Sequence, residues 1–199
     1  MIRKNPINCN LIRVNNSTKS LFDHFMSSFR PESETCPCCG RKGDCVVFAS
    51  YQRYVIDYIN DDIVTSIIEI TRVRCSCGHT HAVLPDPIIP YDSYSLTFIL
   101  RVLREHARHH GTVLELCERF CITPSMLYRW KHLYQSHRAE WQGLLKTLEQ
   151  SFLSSLDELM AIDPFSGLAI TFFRKTGLSF MQSHRNPTSL HRSTLCSVP

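Results

Sequence analysis

The chain of 199 residues has no apolar run fit to cross a membrane: stretches such as Val46 to Ala49 fall far short of the roughly 18 to 20 residues that a span requires. No membrane partner is expected. The opening MIRKNPINCNLIRVNN also lacks the apolar core of a secretory leader and carries charge and asparagine in its place. Export is not expected, which predicts a cytoplasmic protein with reduced thiols. Excess charge is wanting too, with 22 Lys and Arg against 18 Asp and Glu, while 43% of the residues are apolar. That apolar share excludes a wholly disordered or fibrous chain and predicts one or two small domains with a core.

What the chain has in quantity is cysteine, ten residues in all. Two tight groups carry the information, Cys36-Pro37-Cys38-Cys39-Gly40 and Arg74-Cys75-Ser76-Cys77-Gly78-His79-Thr80-His81. A C-x-x-C-G turn aims two thiolates at one centre while its glycine lets the backbone fold beneath the metal. Cys36 and Cys39 make one half-site, with Cys38 a bystander. Cys75 and Cys77 supply the other half in a turn one residue shorter, with His79 and His81 as alternative ligands. Thiolates and imidazoles suit zinc, and four ligands close a structural site for one Zn2+ per chain. A catalytic zinc needs three ligands, an open position and a general base; the sequence offers no such set, and no enzyme is expected.

Between the knuckles, β-branched and aromatic residues from Val46 to Ile59 and from Ile63 to Val73 flank Asn60-Asp61-Asp62. The pattern predicts two strands joined by a tight turn. Knuckle, hairpin and knuckle together make a zinc ribbon, too small to hold its fold without the metal. Cys45 falls at the start of the first strand and Cys117 at a helical core position; Cys9, Cys121 and Cys196 stand alone. Buried or inert thiols are expected at all five.

Three prolines in Leu84-Pro85-Asp86-Pro87-Ile88-Ile89-Pro90-Tyr91 forbid regular structure and predict a stiff linker or packed arm. From Ser93 to near Gly111, Leu96, Ile99, Leu100, Leu103 and Ala107 recur at helical steps. His106, His109 and His110 fall at the end of this helix, where a solvated surface is the expectation. Residues 112–134 then read as helix, tight turn, helix, with Leu116, Phe120, Ile122, Leu127 and Trp130 spaced for a shared core. Thr123 is placed to cap the second helix and Pro124 suits its first position. This is the pattern of a helix-turn-helix. Its second helix would present Ser125, Tyr128, Arg129 and His132 to a DNA major groove, with Lys131 toward the phosphates and Arg129 reading a guanine edge. Cys121 occupies the turn position where glycine is usual. An ordinary helical hairpin would use the same apolar positions.

The string E-L-C-E-R-F-C-I-T-P-S-M-L-Y-R-W resembles the helix-turn-helix of bacterial insertion-sequence transposases and their small companion proteins. The stretch from C-P-C-C-G through R-V-R-C-S-C-G-H-T-H is similar to zinc ribbons that precede such helices, and to an uncharacterised family of small bacterial zinc-ribbon proteins. The resemblance covers residues 36–134 and implies binding to mobile-element DNA. Full transposases of that kind continue into a catalytic domain with three metal-binding carboxylates. After the motif only Glu140, Glu149, Asp157, Glu158 and Asp163 are acidic, so no catalysis is carried over.

The expected fold is α+β: a zinc-ribbon β-hairpin followed by an α-helical helix-turn-helix domain. The divisions are an N-terminal segment (1–35), the ribbon with its proline-rich linker (36–92), the helical domain (93–160), and a short helix with a basic, partly disordered tail (161–199). Residues 36–92 carry a net charge of −2 and residues 93–150 one of +3. An apolar stripe through Leu144, Leu145, Leu148, Phe152, Leu156 and Leu159 would complete the core or join two copies, and Asn186 to Pro199 reads as disordered. The expectation is a sequence-specific binder of double-stranded DNA, accessory to transposition or recombination, with a transposase or recombinase as a further partner. A transcriptional regulator and a zinc-ribbon adaptor that docks a transposase are the alternatives.

Overall fold

The computed structural model describes residues 17–145, 152–161 and 165–183. It is a mixed α+β structure built on a three-stranded antiparallel sheet. Strands β1 (Cys45–Ile59) and β2 (Asp62–Cys75) pair from Cys45 opposite Cys75 to Ile59 opposite Asp62, with one irregularity between Val47 and Ala49. Asn60 and Asp61 form the two-residue turn at φ 50° and 64°. Both φ values must be positive for the turn twist to match that of the strands, and Asn and Asp tolerate this best after glycine. A third strand, β3 (Thr80–Ala82), lies on the far edge of β2 with Ala82 opposite Arg72.

The N-terminal segment, which carries no recognisable motif, contains helix α1 (Thr18–Ser28). The Ser17 hydroxyl caps it by accepting from the Ser20 N–H. Phe22, Phe25 and Phe29, at three- and four-residue steps, are all buried. Phe22 packs with Val55, Ile68 and Ile70 of the hairpin, and Phe25 and Phe29 with Cys36, Cys45 and Cys75. The Thr18 N–H and hydroxyl both donate to the buried Asp57 carboxylate, at 2.8 and 2.6 Å. A buried carboxylate must be met by donors, so these bonds fix α1 to β1 as well as satisfying Asp57.

Helices α2 (Leu96–Ala107), α3 (Val113–Arg119), α4 (Pro124–Leu145), α5 (Phe152–Ala161) and α6 (Phe165–Thr176) follow. The first is shorter than the 93–111 span expected from its periodicity. Ser95 caps it, accepting from the Phe98 N–H, and the chain leaves it before His109, which takes φ 55°. Leu156 and Leu159 of the expected stripe are buried in the main core. The side chains of Leu144, Leu145 and Phe152, all of Leu148, and the tail expected to be disordered lie outside the described residues.

The proline-rich stretch is a packed arm. Leu84, Ile88 and Ile89 are buried, the Ile56 N–H donates to the Ser93 carbonyl at 2.8 Å, and the Ser95 N–H returns to the Ile56 carbonyl at 3.0 Å. The hairpin tip therefore enters the helical core. The Tyr58 ring lies 4.7 Å from that of Phe120, and Tyr94 sits 5.1 Å from Trp130. Hairpin and helices share one apolar cluster. Among the described residues no helix is long and apolar enough to cross a membrane.

Candidate metal centre and the outward face of the fourth helix

Pairing of Cys45 with Cys75 brings the two ends of the hairpin, and so the two knuckles, together. Each knuckle closes on itself: Gly40 N–H donates to the Cys36 carbonyl, and Gly78 N–H to that of Cys75, both at 2.9 Å. Gly40 and Gly78 stand at φ 72° and 85°. An added Cβ would meet nothing within 4 Å at either position, so the backbone conformation, and not crowding, calls for glycine.

The sulfurs of Cys36, Cys39, Cys75 and Cys77 lie within 4.8 Å of one another. Cys36 Sγ is 3.7 Å from Cys77 Sγ, and Cys39 Sγ is 3.6 Å from Cys75 Sγ. A tetrahedron with sulfurs about 2.3 Å from its centre has edges of about 3.8 Å. The four cysteines named from spacing thus form a group able to hold a metal ion, and they do so without an imidazole. His81 is buried with Nε2 3.3 Å from Cys36 Sγ, and His79 Nδ1 is 3.2 Å from Cys77 Sγ. Both rings border the group, where neighbours of metal ligands help to orient them. A second grouping, Cys36 with Cys38 and His81, shares Cys36 and includes the exposed Cys38.

The thiols do not titrate alike. The Cys77 backbone N–H is the chief influence drawing Cys75 down to about 6, whereas burial pushes Cys77 up to about 12. Clustered thiols cannot all ionise together without a counter-charge, and a bound cation supplies it. Burial also pushes Cys45 up to about 11, which makes it an inert neighbour, and lowers His81 to about 4, leaving its ring neutral at pH 7.

Helices α3 and α4 are joined by a short turn. Thr112 and Glu115 form a reciprocal cap at the start of α3. The Thr123 hydroxyl accepts from the Met126 N–H at 3.3 Å, and Cys121 takes φ 47° in the turn. Leu116, Cys117, Phe120, Ile122, Leu127 and Trp130 are all buried. Tyr134 and His137 continue the inward face of α4. Ser125, Tyr128, Arg129 and His132 are exposed on the other side, and Lys131 is half-buried. Among the described residues Arg129 makes no ion pair with a carboxylate. His106, His109 and His110 form no metal-ready group among the described residues.

Residues 36–130 are similar to a family described as a domain of unknown function (DUF6431). The match begins at the first knuckle cysteine and ends at Trp130, so it spans the sulfur group, the hairpin and the α3–α4 turn as one unit. No curated protein and no solved structure matches the chain.

Proposed function

We propose that this chain is a sequence-specific double-stranded DNA-binding protein in which α3 and α4 act as a helix-turn-helix steadied by a zinc ribbon. The observation that supports this most is the division of α4: Leu127, Trp130 and Tyr134 are locked in the core while Ser125, Tyr128, Arg129 and His132 project outward. A recognition helix must be rigid on one face and polar on the other, since its side chains read base edges only when the helix axis is fixed. Arg129, free of carboxylate partners among the described residues, presents a planar fork suited to guanine O6 and N7. Ser125, Tyr128 and His132 flank it on the same face, and Lys131 supplies phosphate contact.

The four cysteines fit Zn2+ by donor type and by their tetrahedral edge lengths. Bound zinc would supply structural charge and cross-linking, and nothing in the donor set leaves an open position for chemistry. The resemblance to transposase-associated proteins supports a place in transposition or recombination, with a transposase or recombinase as partner. Val46, Val47 and Phe48, exposed beside the sulfur group, favour a protein-docking adaptor as the second reading.

Titration of a selected duplex by fluorescence anisotropy tests the first reading. Arg129→Ala should weaken binding by about 1 to 3 kcal/mol and relax preference at one base pair, whereas Lys131→Ala should weaken all sequences alike and flatten the salt dependence. Equal affinity of wild type and Arg129→Ala for every duplex would move the function to the adaptor reading.

A further inference from the structure

The face of the sheet beneath the proline-rich arm holds a cavity of about 590 Å³. Tyr51 and Arg53 occupy alternate positions of β1 and so share a face; Tyr51 opposes Ile70, two residues from Arg72 on β2. Arg72 in turn opposes Ala82, which puts Thr80 and Ala82 on the same side. Tyr91 and Asp92 of the arm close the cavity from above. Nothing in the helix-turn-helix reading uses this site.

Two features mark it as built for a ligand. The first is charge. Arg53 donates to the backbone carbonyls of Ile89 and Asp92, and Arg72 to the Thr80 hydroxyl at 2.9 Å, yet neither guanidinium makes an ion pair among the described residues. Asp92 is the one carboxylate in the lining, and it accepts from the Tyr94 N–H. Backbone and hydroxyl acceptors thus hold two positive forks in a recess, with the Asp92 carboxylate close enough to act on Arg53. Such forks match a multiply charged oxyanion better than a single carboxylate.

The second is Tyr91. Asp92 N–H donates to the Ile89 carbonyl at 3.3 Å, closing a turn with Pro90 second and Tyr91 third, at φ 64°. Glycine is the natural residue at that position, and a bulky side chain there is strained. The ring it carries is 79% exposed at the cavity mouth and contributes nothing to the core. Backbone strain spent on an exposed aromatic ring points to a binding role. Tyr51, also exposed, lies in the same lining.

We propose that this cavity binds a nucleoside monophosphate group, either a free nucleotide or the terminal nucleotide of a DNA strand, with Arg53 and Arg72 taking the phosphate and Tyr51 and Tyr91 flanking the base. Stacking on aromatic rings tolerates any base, so the site selects for the phosphate and for a planar ring. The volume falls within the range of small-ligand sites.

Calorimetric titration of the full, zinc-loaded chain with deoxyadenosine monophosphate, deoxyadenosine and inorganic phosphate tests this. The nucleotide should bind at least about tenfold tighter than either fragment. Arg72→Gln should raise its Kd at least about tenfold, and Tyr91→Ala should weaken the nucleotide while leaving inorganic phosphate unaffected. Tyr91 is exposed, so its variant keeps the test open even if Arg72→Gln melts early. A 5′-phosphorylated single strand bound more tightly than its 5′-hydroxyl twin would assign the site to a strand end; equal affinity of those two, with the nucleotide still bound, would assign it to the free ligand. A nucleotide no tighter than inorganic phosphate, or a folded Arg72→Gln with unchanged Kd, overturns the proposal. A mononucleotide has no groove to offer α4, so this result stands or falls apart from the duplex-binding reading.

Discussion

The Tyr58 ring on the hairpin lies 4.7 Å from the Phe120 ring that closes α3. This contact joins the sulfur-bearing hairpin to the helices proposed to meet DNA. Phe120 is also 5.8 Å from Phe98, and Tyr94 lies 4.9 Å from Phe98, so the junction is a continuous aromatic cluster. The two parts should therefore melt in one transition. Tyr58→Ala should lower stability by about 2 to 4 kcal/mol, near the lower end for a large aromatic because Tyr58 is only half-buried. Denaturant unfolding followed by tryptophan fluorescence and by sheet circular dichroism measures this; two separated midpoints in the unaltered protein would show the parts to be independent.

Metal loading gives a second prediction. Purified protein should carry about one zinc per chain, and cobalt in its place should show the absorption of a tetrahedral thiolate site. Cys36→Ser and Cys75→Ser should each lose the metal and lower the midpoint of the single unfolding transition, because the hairpin that the metal clamps shares its core with the helices. Cys38→Ser, at an exposed position in the first knuckle, should keep it. His81→Ala should also keep one metal per chain, since the four sulfurs converge without the ring. Loss of metal in His81→Ala with retention in Cys77→Ser would replace the four-cysteine set with a three-cysteine, one-histidine set.

The turn before α4 offers a third. Thr123→Ala removes the hydroxyl that accepts from Met126 and should cost about 1 kcal/mol. Cys121 at φ 47° carries strain of about 1 kcal/mol. Glycine would relieve it, at an entropic cost of about 0.5 kcal/mol in the unfolded chain, so Cys121→Gly should be level with the natural protein or slightly more stable. Cys121→Val, with a branched side chain at the same φ, should be less stable by more than about 1 kcal/mol. Thermal melting of the three variants orders them; a destabilised Cys121→Gly would contradict the reading of the turn.

Much of this architecture is legible locally. The hairpin turn announces itself because Asn60 and Asp61 are among the few residues that accept positive φ, and the knuckles because glycine follows paired cysteines. The α3–α4 pair is legible because Thr112, Thr123 and Pro124 punctuate it. Helix α1 had a signal too, in Ser17 and the spacing of Phe22, Phe25 and Phe29, but without a motif nearby it did not stand out. The three residues of β3 are strand only because β2 offers an edge. The cavity under the arm has no local signature at all: Tyr51, Arg53, Arg72 and Tyr91 meet through strand register and the return of the proline-rich arm, which spacing along the chain does not encode.

The central claim is that the outward row of α4 reads DNA sequence. Selection by the zinc-loaded protein from a pool of random duplexes tests it most directly. A recurrent site should emerge, containing a guanine whose enrichment disappears with Arg129→Ala. Recovery of no common sequence, with duplex affinity unaffected by Arg129→Ala, would contradict it.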